Sequence, residues 1–269
     1  AIAPSYIGQF GANTNAKQII EAIKQLGFVD VIEVALGADL TTLHEAKEYL
    51  ERVPNEIPFM GTSCCFSWTL MIRNEFPEFF EQVSDSGSPM RYTANHIKAK
   101  DPDAVVVFIG PCTSKKLEAI DTKVKSDVDF VITFEELMGM FVAKNIEPSE
   151  IKVEEDVEDG SALGRGYPIA GGVAESVKVV AEKMNPDKDI HIQGAHTLSE
   201  CMKMLKIAKA GKLDGYLLEG MACPGGCIAG VGTMASVNRV KKQIEKFKKE
   251  SIYPTPLENQ NIEKERESI

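Results

Sequence analysis

With 269 residues, 43% hydrophobic and 26% charged, the chain has the make-up of an ordinary globular protein with room for a sizeable core, which excludes fibres and disorder. A net charge of −10 argues against a general nucleic-acid binder, whose surface must neutralise phosphates. The longest apolar runs, such as Ala104–Gly110, are strand-sized against the roughly 18 residues of a membrane span, so no span is expected.

In chain order, strands are expected at Ala1–Ile7 and Val29–Ala35. The clearest helix follows at Ala38–Val53, with Leu40, Leu43, Ala46, Leu50 and Val53 on one stripe and Asp39 as a candidate cap. Further strands fall at Pro58–Thr62, Ala104–Ile109 and Asp127–Ile132, rich in Val, Ile and Phe. Asn145–Gly166 has weak periodicity in either register and is the expected boundary between two lobes, about 1–145 and 146–250. Beyond it come strands at Asp189–Gln193 and Asp214–Leu218, with helical spacing over Thr197–Lys209. Arg239–Lys249 reads as a Lys-rich solvated helix, and the polar tail 251–269 as extended or poorly ordered. The alternation is that of an α/β fold with mostly parallel sheets flanked by helices. An initial Ala without a basic-then-apolar leader reads as a domain excised from something longer.

The six cysteines are crowded rather than evenly spread, which does not resemble a secreted disulfide framework and points to a reducing, cytoplasmic setting. Cys65, Cys112 and Cys223 each follow an expected strand, so three strands deliver a thiol at their carboxyl ends, where α/β sheets gather ligands. Cys227 adds a fourth, and Gly225-Gly226 between the last two lets the backbone approach a bulky group. Four thiolates suit a [4Fe–4S] cubane. Zinc is the rival, though paired C-x₂-C knuckles are absent from the sequence. Cys201, among Leu198, Met202 and Leu205, reads as a small buried hydrophobe. Lys115 and Lys116, just after Cys112, either steady an anionic ligand or are solvated loop charges.

Three segments carry a family resemblance: Thr62-Ser63-Cys64-Cys65, Pro111-Cys112-Thr113-Ser114-Lys115-Lys116-Leu117-Glu118, and Glu219-Gly220-Met221-Ala222-Cys223-Pro224-Gly225-Gly226-Cys227. They resemble the signatures of the [FeFe]-hydrogenase catalytic domain. Ala3-Pro4-Ser5, Gly27-Phe28, Gly37-Ala38-Asp39-Leu40-Thr41 and Gly171-Gly172-Val173 are similar to its other landmarks, so the likeness runs to about Gly232. The resemblance implies a two-lobed body with the H-cluster in the cleft. Cys65, Cys112, Cys223 and Cys227 would hold the cubane, and Cys227 would bridge to a [2Fe] unit bearing CO, cyanide and azadithiolate. Ala3, Pro4, Ser5, Lys115 and Met221 would surround that unit, with Lys115 and the backbone around Pro4 and Ser5 hydrogen-bonding the cyanides.

By the same resemblance Cys64 passes protons to the bridging amine, and the route continues through Glu45, Ser84 and Glu48. The spacing of Glu45 and Glu48 puts them on one helix face; the bland reading of that face is the polar side of the Ala38–Val53 helix. Phe66-Ser67 replaces a common Pro-Gly, Gly110 a methionine, Met90 a glutamine, and Ile228-Ala229-Gly230-Val231-Gly232 a Gly-rich run, which suggests a divergent branch. The implied activity is reversible proton reduction and H2 oxidation. A hydrogen-sensing module and a cubane-only iron–sulfur assembly protein are the alternatives, the last disfavoured by Cys64. Electrons would come from a carrier protein or a missing iron–sulfur module, and the diiron unit from maturation proteins.

Overall fold

The computed structural model describes residues 1–153 and 156–266; Glu154, Glu155 and 267–269, which belong to the expected boundary and tail, lie outside the described residues. The chain starts extended, with Ile2 bridging in parallel to Glu33 on one side and Ile109 on the other. A 3-10 turn then begins at Pro4, whose ring fixes φ and removes a ladder donor. The strands expected at Ala1–Ile7 and Val29–Ala35 are therefore reduced to that bridge, the second cut short by a helix starting at Val34.

An Asn15/Gln18 capping box starts α1 (Ala16–Gln25). Helix α2 (Val34–Arg52) begins four residues before the apolar stripe predicts, and Asp39 is not its cap but lies inside it, fully buried. There follow β1 (Met60–Gly61), α3 (Phe66–Glu75), α4 (Pro89–Lys100), β2 (Val107–Gly110), α5 (Ser114–Ile120), β3 (Phe130–Thr133) and α6 (Phe134–Lys144). After a 3-10 turn at Pro148–Glu150 come α7 (Ala162–Gly166), α8 (Gly172–Met184), β4 (His191–His196), α9 (Leu198–Lys209), β5 (Tyr216–Met221), α10 (Val237–Lys249) and α11 (Glu263–Arg266).

The strands form two parallel sheets, β2–β3 and β1–β5–β4, covered by helices. Sheet order departs from the expected lobes. Strand β1 comes from the first part of the chain and pairs with β5 from the last, so the sheets do not divide at Asn145. The 145–166 stretch is tied into the body instead. Arg165 is 1% exposed, pairs with Glu33 at 2.8 Å, donates to the Val157 carbonyl and lies 3.8 Å over the Phe247 ring. Residues 252–266 are likewise docked, with Ile262 and Asn259 fully buried.

Candidate functional site

Each of the three strand ends delivers its cysteine through a defined turn. Cys65 occupies the N-cap of α3, and its carbonyl accepts from the Trp68 and Thr69 amides at 3.0 and 3.1 Å. Cys112 sits between β2 and α5, with its carbonyl accepting from the Lys115 amide at 3.3 Å. Cys223 follows β5, and the chain turns back through Gly226 at φ +99. A Cβ on Gly226 would stand 2.5 Å from the Pro168 oxygen and 2.6 Å from the Ala170 nitrogen, so only glycine lets the Cys223–Cys227 loop lie on that segment. Strands β1 and β5 belong to one sheet and β2 to the other, so the thiols meet between the sheets.

Cys64, Cys65, Cys112 and Cys227 border a cavity of about 80 Å³, together with Ala3, Pro4, Ser5, Lys115 and Met221. Cys223 is half-buried and outside that wall, though close enough for its charge to be felt by Cys227. Cys201 is fully buried in the core between α3 and α9, as expected of a small hydrophobe. Burial, and then the neighbouring sulfurs, hold the Cys227 thiol well above its ordinary range and push Cys223 up to about 11. Iron takes thiolates, so binding it discharges protons from this crowded set.

The donor set suits one metal group better than another. Among the described residues no three His, Cys, Asp or Glu side chains draw in to the spacing of one metal ion. A zinc centre needs four thiolates at about 2.3 Å from a single ion, and the set does not fit it. A cubane gives each thiolate its own iron and asks for a wider spacing; Cys65, Cys112 and Cys227 face one space, and Cys223 stands just outside it, near enough to interact with all three. The rest of the wall points to a polar ligand. The Ser5 hydroxyl is fully buried with no hydrogen-bond partner among the described residues. Lys115 Nζ donates to the Cys64 carbonyl at 3.0 Å and to Glu118 Oε2 at 2.6 Å, leaving one N–H of three. Burial works against the Lys115 charge, but Glu118 outweighs it and the ammonium is held above its ordinary range. Ser88 Oγ donates to the other Glu118 oxygen at 2.5 Å, fixing the carboxylate that fixes the lysine. Lys115 is thus no solvated loop charge.

The remaining predicted residues lie on a separate run. Glu45 is fully buried on α2, and its Oε1 accepts from the Ser63 amide and hydroxyl at 2.7 and 2.8 Å. Its Oε2 has no partner among the described residues, and burial raises its pKa to about 8. Ser84 Oγ donates to Glu48 Oε2 at 2.5 Å, and Glu48, also paired with Arg52, borders an open surface depression. The polar-side reading of these glutamates fails, because α4, α7 and α8 pack around α2. Sequence reasoning missed Ser88, Tyr167 and Phe108. Tyr167 and Phe108 line the cavity but sit in no thiol motif, and Ser88 announces itself only as the cap of α4.

Residues 1–231 match the family described as iron only hydrogenase large subunit, C-terminal domain. Iron hydrogenase 1 of Clostridium pasteurianum is 31% identical over 97% of this chain and 54% of that protein. The cytosolic Fe-S cluster assembly factor NAR1 of Kluyveromyces lactis is 30% identical over 52% of this chain and 32% of its own. A variant of apo [FeFe]-hydrogenase HydA1 from Chlamydomonas reinhardtii superposes with a TM-score of 0.82 at 23% identity, covering 99% of this chain and 88% of that one. That last likeness establishes the fold. The chain spans about half the length of the curated relatives it matches. No helix among the described residues is long and apolar enough to cross a membrane.

Proposed function

The chain belongs to the iron-only hydrogenase family, and from that premise we propose that it interconverts protons, electrons and H2 at an H-cluster. Cys65, Cys112, Cys223 and Cys227 hold the cubane in this reading, and Cys227 also carries the diiron unit. The observation that carries it is the pair of unspent donors, the Ser5 hydroxyl and the third N–H of Lys115, on the same wall as Cys227. A cubane alone takes thiolates and uses neither donor. Anionic cyanide ligands use both, and the ammonium bond is the stronger for its charge.

When bound, the diiron unit supplies the metal pair at which the H–H bond is made or broken. The chain's own part is to hold, dry and feed that site. Ala3, Pro4, Ser5, Lys115 and Met221 enclose it. Cys64, whose thiol burial keeps well above its ordinary range, stays protonated and offers a proton without a charge. Glu45, raised to about 8, carries a proton at neutral pH and is poised to hand it on, accepting one again only after it has done so. In this reading the run continues from Glu45 Oε2, which has no partner among the described residues, to the Ser84–Glu48 pair and the surface. Electrons arrive from a carrier protein or an adjoining iron–sulfur module, maturation proteins supply the diiron unit, and the setting is a reducing cytoplasm.

The test is an infrared spectrum of protein reconstituted with iron, sulfide and the synthetic diiron cofactor. Sharp CO and cyanide bands that shift under H2 are expected. A cubane signal without such bands would overturn the proposal and favour the cubane-only assembly reading, which the likeness to the Kluyveromyces factor supports. A hydrogen sensor shares the bands, and slow turnover separates it; the wall residues Met90 and Phe108 favour keeping it as the second reading.

A further inference from the structure

Phe108 and Gly110 lie two apart on β2 and so face the same side of the strand. A Cβ built on Gly110 would stand 2.6 Å from Phe108 Cε1, 2.8 Å from Cζ and 3.2 Å from the Ala3 methyl. The tip of the ring therefore occupies the space that any side chain at position 110 would need. The ring itself lines the cavity bordered by Cys227, Ser5 and Lys115. On the other flank Ala3 cannot give way, because its amide is held by the Ile109 carbonyl at 2.8 Å and Ile109 in turn donates to the Ala1 carbonyl at 2.8 Å. The cavity is a side on which the ring can yield.

We propose that Phe108, seated by the missing side chain of Gly110, is the positioning wall of the diiron site, setting the volume and dryness of the space that the Ser5 and Lys115 donors also line. This rests on the hydrogenase reading above. The wall has a division of labour: polar donors orient the ligand, and an aromatic face leaves no room for water. A flat ring anchored on a strand is stiffer than a long flexible side chain, so small changes at position 110 are transmitted into the cavity instead of being absorbed. Neither residue belongs to the cysteine motifs, and the coupling is visible only once the strand is folded against the N-terminal turn.

The experiment uses the full chain as Gly110→Ala, Phe108→Ala and the double variant, each loaded with iron, sulfide and the synthetic diiron cofactor. Iron bound before the cofactor is added reports folding and the cubane. Infrared CO intensity per cubane reports diiron retention, and band positions report its surroundings. Gly110→Ala is expected to retain about tenfold less diiron unit at normal cubane content, since the added carbon overpacks the site through the ring. Phe108→Ala is expected to retain it with shifted, broadened bands, and the double variant to recover retention because there is no ring left to displace. If the parent shows bands and Gly110→Ala matches it, or if the double variant loses as much as Gly110→Ala, the wall assignment is wrong while the hydrogenase reading stands. If the parent itself shows a cubane and no bands, both fall together. Phe108→Leu replaces Phe108→Ala should the latter bind no cubane.

Discussion

Lys115 donates to the Cys64 carbonyl, and the Cys64 thiol stands on the cavity wall, so in the proposed function one residue joins the ligand-holding and proton-passing parts of the site. That division makes the thiol separable by mutation. Cys64→Ala keeps the carbonyl and with it the Lys115 bond. The variant should show parental iron content and CO and cyanide bands while H2 turnover falls about 10²-fold or more, the usual scale for a lost general acid–base group. Glu45→Gln should behave alike, because a neutral amide keeps the Ser63 contacts without a transferable proton. Parental turnover in either would mean that protons leave by another path. The cysteines were legible before folding because a thiol at a strand end is a local pattern. Glu45 was reached only through the family resemblance, since its burial is imposed by helices far away in sequence, and the polar side of an amphipathic stripe is solvated only where nothing packs on it.

Among the elements, β5 is the one that both sheet order and site depend on. It lies between β1 and β4, leads to Cys223 and carries Gly220, where an added Cβ would stand 2.1 Å from the Trp68 ring. Trp68 is fully buried, and its Nε1 donates to the Thr62 carbonyl at 3.1 Å, so the turn holding Cys64 and Cys65 is pinned between that bond and the flat face of β5. Gly220→Ala should force the indole outward, cost roughly 1–3 kcal/mol in urea unfolding of the apo chain and reduce cubane loading. An unchanged midpoint with full loading would show that Trp68 does not bear on the strand. The five strands were legible in the sequence as short apolar runs, though their order in the sheets was not. Nor were their starts: each begins two or three residues later than its expected run, and before β5 the cause is visible, since Asp214 and Gly215, the latter at φ +85, form a turn.

At the scale of the whole molecule, the middle of the chain and its last described part close on one buried carboxylate of α2. Asp39, deep in α2, accepts from the Ser161 amide and hydroxyl at 2.9 and 2.6 Å and from Asn259 Nδ2 at 2.7 Å. The polar composition after Ser251 suggested a loose tail, and what composition could not reveal is that Asn259 completes this site while Leu257 and Ile262 pack on the core beside α2. Burial raises the Asp39 pKa from 3.8 to about 6, its three donors offsetting only part of the desolvation. A folded-state acid raised in this way binds a proton more tightly than it does when unfolded. Its contribution to stability is therefore fully present below about pH 4 and lost as pH rises through about 6, a change on the order of 3 kcal/mol. Other groups titrate over the same range, among them the buried Ala1 amine, whose lowered pKa acts in the opposite sense. Comparison with Asp39→Asn cancels them, since the amide at position 39 does not titrate. The parent should lose stability relative to Asp39→Asn between pH 4 and 6 and run parallel to it from about pH 7, measured by urea unfolding across that range. A gap between the two that stays constant with pH would mean the carboxylate is ionised throughout, and that the donors from Ser161 and Asn259 outweigh burial after all.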